Sequence, residues 1–192
     1  GWTAYRKTIL EQYRQEYQQL FKSAAAVIGV SADMIKQLAK LGAPAEKLHY
    51  VPYGVDKAAF PYSDHSMNPP VFVAVGRFCD TKNPHLTILA FSKVLKEIPE
   101  AKLVMAGGDE TLLSACINLC KALKIEDKVQ FKGVLTPTQV FEEMEKAYAF
   151  VQHSATTSLG EKEGTPNAIL EACAAGLPVI ATRHAGIMDV VV

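Results

Sequence analysis

Two spacings of apolar residues divide this chain. From Tyr5 to Phe21 the apolar positions recur every fourth residue, at Tyr5, Ile9, Tyr13, Tyr17 and Phe21, which predicts an amphipathic helix. Ala24 to Val30 is a short apolar run and predicts a buried strand. Ser31 stands as the N-cap of a helix from Ala32 to about Leu41. His49 to Val51 predicts another strand, ended by Pro52-Tyr53-Gly54. Residues 57–70 have no period, contain Pro61, Pro69 and Pro70, and read as a linker. Beyond it the alternation is strict. Strands are predicted at 71–75, 102–106, 129–132, 148–152 and 178–182, and helices at 84–97, 110–124, 137–147 and 166–175. Such alternation implies right-handed crossovers, and so an α/β fold with a parallel sheet and helices on both faces. Ligands of these sheets sit at the carboxyl ends of the strands.

Composition narrows the partners. Of 192 residues, 49% are hydrophobic and 21% charged, enough for one good core and part of another. Lys+Arg and Asp+Glu are both 20, so there is no basic surplus for nucleic acid, and an anionic ligand must be held by local cations. Cys79, Cys116, Cys120 and Cys173 do not have metal-site spacing; Cys116 and Cys120, four apart on one predicted helix, read as core filling. With no signal peptide and no apolar run of spanning length, the chain reads as cytoplasmic. Arg6, Lys7, Arg14 and Lys22 on the first helix raise a peripheral contact with the inner face of the membrane; Glu11 and Glu16 dilute that charge, and packing on a core is the preferred reading. Gly1-Trp2 is not a natural start and suggests part of something longer.

The candidate chemistry gathers near the C-terminus. Glu163 and Glu171 flank a predicted helix start in which Thr165 serves as N-cap and Pro166 as first helical residue. Gly176 is the C′ stop, and Pro178 prevents continuation. The free N–H groups of such a helix end suit a phosphate, and carboxylates accept bonds from sugar hydroxyls. A nucleotide diphosphate sugar has that layout, although a Glu on a helix is most often only solvated. In the first strand-to-helix loop, Gly76 allows a close turn, Arg77 offers a bidentate fork and Lys82 a point charge. Phe78 and Thr81 stand where a dinucleotide fingerprint needs glycines, which argues against NAD.

These residues carry a resemblance. Gly76-Arg77…Lys82, Phe131-Lys132-Gly133-Val134, Glu163 and Glu171 with Ala175-Gly176-Leu177-Pro178-Val179-Ile180-Ala181-Thr182, and the hinge Pro52-Tyr53-Gly54-Val55-Asp56 resemble the retaining glycosyltransferases of family 4 (glycosyl transferases group 1). His153-Ser154, Glu163-Gly164-Thr165-Pro166 and Thr182-Arg183-His184-Ala185-Gly186-Ile187 resemble the exopolysaccharide and colanic-acid type. The resemblance implies the GT-B fold of two facing Rossmann-like domains. Residues 1–56 would be the end of the acceptor-side domain, 57–70 the linker, and 71–192 the nucleotide-sugar-binding domain, truncated at its C-terminus. Arg77 and Lys82 would hold the diphosphate and neutralise the leaving group, and Glu171 would accept from the ribose. Glu163 would meet the donor sugar, backbone N–H groups of Gly164, Thr165, Pro166-flanking residues and Asn167 the distal phosphate, and Val134 the base. The implied reaction moves a hexose from a UDP- or GDP-sugar to a saccharide or lipid-linked acceptor hydroxyl, without a metal or other cofactor.

Some positions depart from the family pattern. Asn83 replaces the usual glycine after Lys82 and is read as a cap for the next helix. Gly107-Gly108-Asp109-Glu110 replaces a Gly-x-Gly-Pro turn, and Met188-Asp189 a Pro-Glu pair. Most of the acceptor-side domain, the last strand and the returning helix have no counterpart, so the isolated chain is expected to bind donor without transferring sugar. His153 is expected to be a satisfied structural histidine, His85 exposed, His184 near a ligand, and Gln152 to Gly160 a polar lid. The alternatives are a nucleotide-sugar epimerase of the same fold, and a non-catalytic nucleotide-binding fragment that associates with a second copy through its uncovered apolar face.

Overall fold

The computed structural model describes residues 5–108 and 111–191. Two compact units account for them: a first of residues 5–54, 155–166 and 183–191, and a second of residues 55–108, 111–154 and 167–182. The linear division 1–56, 57–70 and 71–192 differs from this arrangement, because two later segments fold with the first unit.

In the first unit the aromatic stripe forms two helices rather than one, α1 (Lys7–Gln12) and α2 (Arg14–Ser23). Tyr13 breaks them, with φ −113° and ψ 28°, and is exposed, whereas Tyr5 and Phe21 at the ends of the stripe are buried. Strand β1 (Val27–Gly29), helix α3 (Ala32–Lys40) and strand β2 (Leu48–Tyr50) make one parallel crossover. Ser31 caps α3 by accepting from the Met34 N–H at 3.1 Å. Met34, Leu38, Leu41 and Ala43 form the core with Tyr5 and Phe21.

The second unit is a five-stranded parallel sheet. Its strands are β3 (Val71–Val75), β4 (Lys102–Ala106), β5 (Val129–Gly133), β6 (Ala149–Gln152) and β7 (Val179–Ala181), in the order β5-β4-β3-β6-β7. Helices α4 (Pro84–Glu97), α5 (Leu113–Leu123), α6 (Pro137–Glu145) and α7 (Asn167–Ala174) connect them. The alternation read from sequence appears, with β3, β4 and α4 as predicted and the other boundaries shifted by up to three residues; the predicted start of α5 at Glu110 lies outside the described residues. After β5 the chain returns to the other side of β3, so right-handed crossovers put α4 and α5 on one face and α6 and α7 on the other. Val73, Leu103 and Phe150 on the central strands are fully buried. Ile88 and Phe91 of α4 pack with Cys116 and Cys120 of α5, and burial pushes the Cys116 thiol up to about 11. The two cysteines are core residues.

The aperiodic stretch 57–70 does not hang loose. Phe60 is buried edge-on to Phe141 of α6 at 6.1 Å. His65 is 3% exposed, with ring nitrogens 3.2 and 3.0 Å from the carbonyls of Ala147 and Ala175. Asn68 donates to the carbonyls of Glu145 and Ala147, both at 2.8 Å. A segment whose polar side chains satisfy the ends of neighbouring helices needs no hydrophobic period, which is why its sequence reads as linker. Among the described residues, no helix is long and apolar enough to cross a membrane.

Candidate functional site

At the carboxyl edge of the second unit the chain crosses from strand to helix by backbone contacts. Gly76 donates to the Ala106 carbonyl at 2.8 Å, Gly107 to that of Gly133 at 2.8 Å, and Phe78 to that of Gly108 at 3.0 Å. The ends of β3, β4 and β5 are thereby joined beyond the strands themselves. A Cβ on Gly107 would lie 1.9 Å from the Gly76 carbonyl oxygen, so only glycine permits this approach. Val134 follows β5 at the same edge and is exposed, with its side chain against Gly108.

The loop carrying the two cations folds back on itself. Lys82 and Asn83 both donate to the Cys79 carbonyl, at 3.0 and 3.1 Å, and the stem of Lys82 lies beside the Cα of Gly76. Arg77 and Lys82 thus come together and line one cavity with Gly76. Asn83 does not cap α4 as expected: its side chain makes no capping bond, and its backbone is left-handed at φ 41°. Asn is among the few residues other than glycine that adopt this region readily, which explains why it can replace a glycine here. Pro84 then occupies the first helical turn of α4. The departure at Asp109-Glu110 lies outside the described residues.

Helix α7 reaches the same sheet edge from β6. It starts at Asn167, one residue later than expected, and Asn167 is exposed. Its end is as the sequence reads: Gly176 at φ 79° donates to Cys173, and Leu177 donates to Ala172 at 3.0 Å, a Schellman turn. Glu171 is half-buried on this helix, and its carboxyl has no hydrogen-bond or ion-pair partner among the described residues. Desolvation by burial raises its pKa above the ordinary carboxyl value. A partly buried acid without a partner costs free energy, and a ligand hydroxyl would offset that cost.

Glu163, Gly164, Thr165 and Pro166 belong to the first unit. The Thr165 hydroxyl, expected as the cap of α7, donates to the Val30 carbonyl. Lys162 sits 3.2 Å from Asp33 and 5.7 Å from the centroid of the Tyr5 ring, and Arg6 pairs with Glu161 at 2.9 Å. Lys7 donates its N–H to Leu159 at 3.1 Å. The expected lid is therefore tied down between residues 155 and 160. Asp189, where the family pattern has a Pro-Glu pair, accepts from the Ala32 N–H at 2.7 Å and so serves the N-terminus of α3. His184 is 3.2 Å from the Thr156 hydroxyl.

His153 differs from its expectation. It follows β6, lines the cavity shared by Gly76, Arg77 and Lys82, and its Nδ1 is buried without a hydrogen-bond partner among the described residues. Burial, with the nearby His85 charge, lowers its pKa below the ordinary imidazole value. His85, expected to be exposed, is half-buried. Sequence could place His153 at a strand end but could not count its bonds.

The model of the family described as glycosyl transferases group 1 matches residues 56–192. A protein of Escherichia coli strain K12, WcaL, whose name assigns it to colanic acid biosynthesis as a glycosyltransferase, is 31% identical over 96% of this chain and 46% of its own length. The amylovoran biosynthesis glycosyltransferase AmsK of Erwinia amylovora is 28% identical over 97% of this chain and 46% of its own. The chain spans about half the length of the curated relatives it matches. The crystal structure of Anabaena Alr3699/HepE in complex with UDP and glucose superimposes on 95% of this chain and 50% of that one, with TM-score 0.78 and 21% identity. At that identity the likeness speaks to the fold alone.

Proposed function

The chain belongs to the glycosyl transferases group 1 family, and from that premise we propose that it carries the nucleotide-sugar donor site of a retaining, family 4 hexosyltransferase. The reaction is transfer of a hexose from a UDP- or GDP-sugar to a hydroxyl of a saccharide or lipid-linked acceptor, in assembly of a cell-surface polysaccharide. Its setting is the cytoplasm, peripheral to the inner face of the membrane. The names of WcaL and AmsK, and the UDP and glucose bound by Alr3699/HepE, support the donor class and the pathway type.

Glu171 is the observation that carries this reading: a half-buried carboxyl without a partner among the described residues, in the unit that also brings Arg77 and Lys82 to the sheet's carboxyl edge. In the reading, Glu171 accepts from the ribose hydroxyls, and Val134 offers backbone atoms to the base. Arg77 and Lys82 hold the diphosphate with Gly76 beneath it, and N–H groups from Gly164 to Asn167, past Thr165 and Pro166, serve the distal phosphate. Glu163 meets the sugar. Cations that oppose charge growing on the departing diphosphate bind the transition state more tightly than the substrate, which raises rate. Two side-chain cations and a helix end supply this without a metal.

Thermal unfolding with UDP, GDP, ADP and CMP tests the reading. A nucleoside diphosphate at about a hundred times its Kd adds about 2.7 kcal/mol, and Glu171→Ala removes most of that gain. No shift with any nucleotide would reject the donor site.

A further inference from the structure

The strand order reverses between β3 and β6, which lie parallel to each other. The chain leaves β3 toward α4 on one face and returns to β7 through α7 on the other, so the two strand ends diverge. A crevice at such a divergence is where open parallel sheets bind ligands. Gly76, Arg77 and Lys82 come to it from the end of β3; His153 comes from the end of β6.

His153 is held firmly. On one side of it, Thr182 donates its N–H to the Gln152 carbonyl at 3.3 Å. On the other, the Thr182 hydroxyl accepts from the Ser154 N–H at 2.9 Å and donates to its carbonyl at 2.8 Å. The backbone on both sides is thus anchored to β7, and the imidazole is presented by a fixed strand end. Its Nδ1 is nevertheless buried without a hydrogen-bond partner among the described residues. A histidine on a fixed strand end, lining the cavity that Arg77 and Lys82 also line, has a use if an anion arrives there: its ring can add a neutral donor to the two cations.

We propose that His153 is a donor-binding residue, whose imidazole N–H donates to a diphosphate oxygen held by Arg77 and Lys82. The inference rests on the donor-site reading above and adds a group from the second strand end to it. Two cations from one loop fix the diphosphate from one side; a neutral donor across the crevice fixes its orientation. Burial keeps the ring neutral in the absence of ligand, which avoids a third positive charge in the empty cavity.

The test titrates UDP and GDP into the wild type, with the imidazole ¹⁵N resonances followed by NMR and affinity by calorimetry, and repeats the affinities for His153→Leu and His85→Gln. Expected are a nucleotide-dependent movement of the His153 nitrogens, binding about tenfold or more weaker in His153→Leu, and a change below about twofold in His85→Gln, which lies outside the cavity. If the wild type binds neither nucleotide, the donor-site reading fails and this inference with it. If the wild type binds, but the His153 nitrogens stay still and His153→Leu binds as tightly, the inference alone is overturned. The wild-type titration decides should the leucine variant not fold.

Discussion

The loop of Arg77 and Lys82 in the second unit and the segment around Glu163 in the first are held by different mixtures of contact. Around the two cations, main chain meets main chain: Gly76 to Ala106, Gly107 to Gly133, Phe78 to Gly108. The 155–166 segment that contains Glu163 adds side-chain contacts, Arg6 to Glu161, Lys162 to Asp33 and Thr165 to Val30, to one close backbone approach, where a Cβ on Gly186 would lie 2.0 Å from the Gly164 carbonyl oxygen. Backbone contacts of the first kind require particular residues, because a Cβ at Gly107 has nowhere to go. Side-chain contacts of the second kind can be made by many residue pairs, and each is worth little when partly exposed. The cation loop is therefore expected to be rigid, and the ion-paired residues 161 and 162, rather than Gly164, to be the part of the Glu163 segment that can be changed without loss of the fold.

The largest effect that would break this comparison is at Gly107. Gly107→Ala puts a Cβ 1.9 Å from the Gly76 carbonyl, and is expected to cost about 3 kcal/mol by denaturant unfolding and to abolish nucleotide binding. Gly54→Ala, with nothing within 4 Å, should cost under about 0.5 kcal/mol. Similar costs at the two glycines would mean that the strand ends are not fixed by close approach.

Thr165→Val comes next. It keeps the shape and leaves the Val30 carbonyl without its donor, at a cost of about 1–2 kcal/mol. Amide hydrogen exchange should show the loss in the first unit, with protection of the central strands unchanged. Equal loss in both would show that the two regions are one cooperative structure.

Glu171→Gln has the smallest effect on stability, within about 1 kcal/mol, but its sign is informative. Burial raises the folded-state pKa of Glu171, so the folded protein takes up a proton at higher pH than the unfolded chain does. The wild type should gain stability as pH falls through that raised value toward the ordinary 4.5, and no more below it. The glutamine variant lacks this slope, and at pH 7 it is expected to be the more stable protein and the weaker nucleotide binder. A variant less stable than wild type at pH 7 would mean that the carboxylate has a partner in the folded state.

Much of this was legible in the order of residues. Strict alternation of apolar runs and amphipathic stretches gave every strand and helix of the second unit, since a crossover fold needs that order. Gly176 marked the end of α7, because a left-handed residue is required there. The stripe from Tyr5 to Phe21 misled at Tyr13, where period alone could not reveal a break. Residues 57–70 misled for the opposite reason: Phe60, His65 and Asn68 dock through one ring contact and a few polar bonds, which leave no repeating pattern.

The candidate site divides in the same way. That Gly76, Arg77 and Lys82 follow a strand end and that Glu171 lies on α7 could be read from sequence, because residue type and position at a strand or helix end are properties of the local chain. That Asn83 is left-handed, that Thr165 donates to Val30, and that His153 keeps a buried nitrogen unpaired depend on what other segments bring to them. Local spacing determines which residues reach the sheet edge. Only the folded chain decides which polar atoms arrive there already satisfied, because hydrogen-bond partners are drawn from residues far apart in sequence and meet through packing.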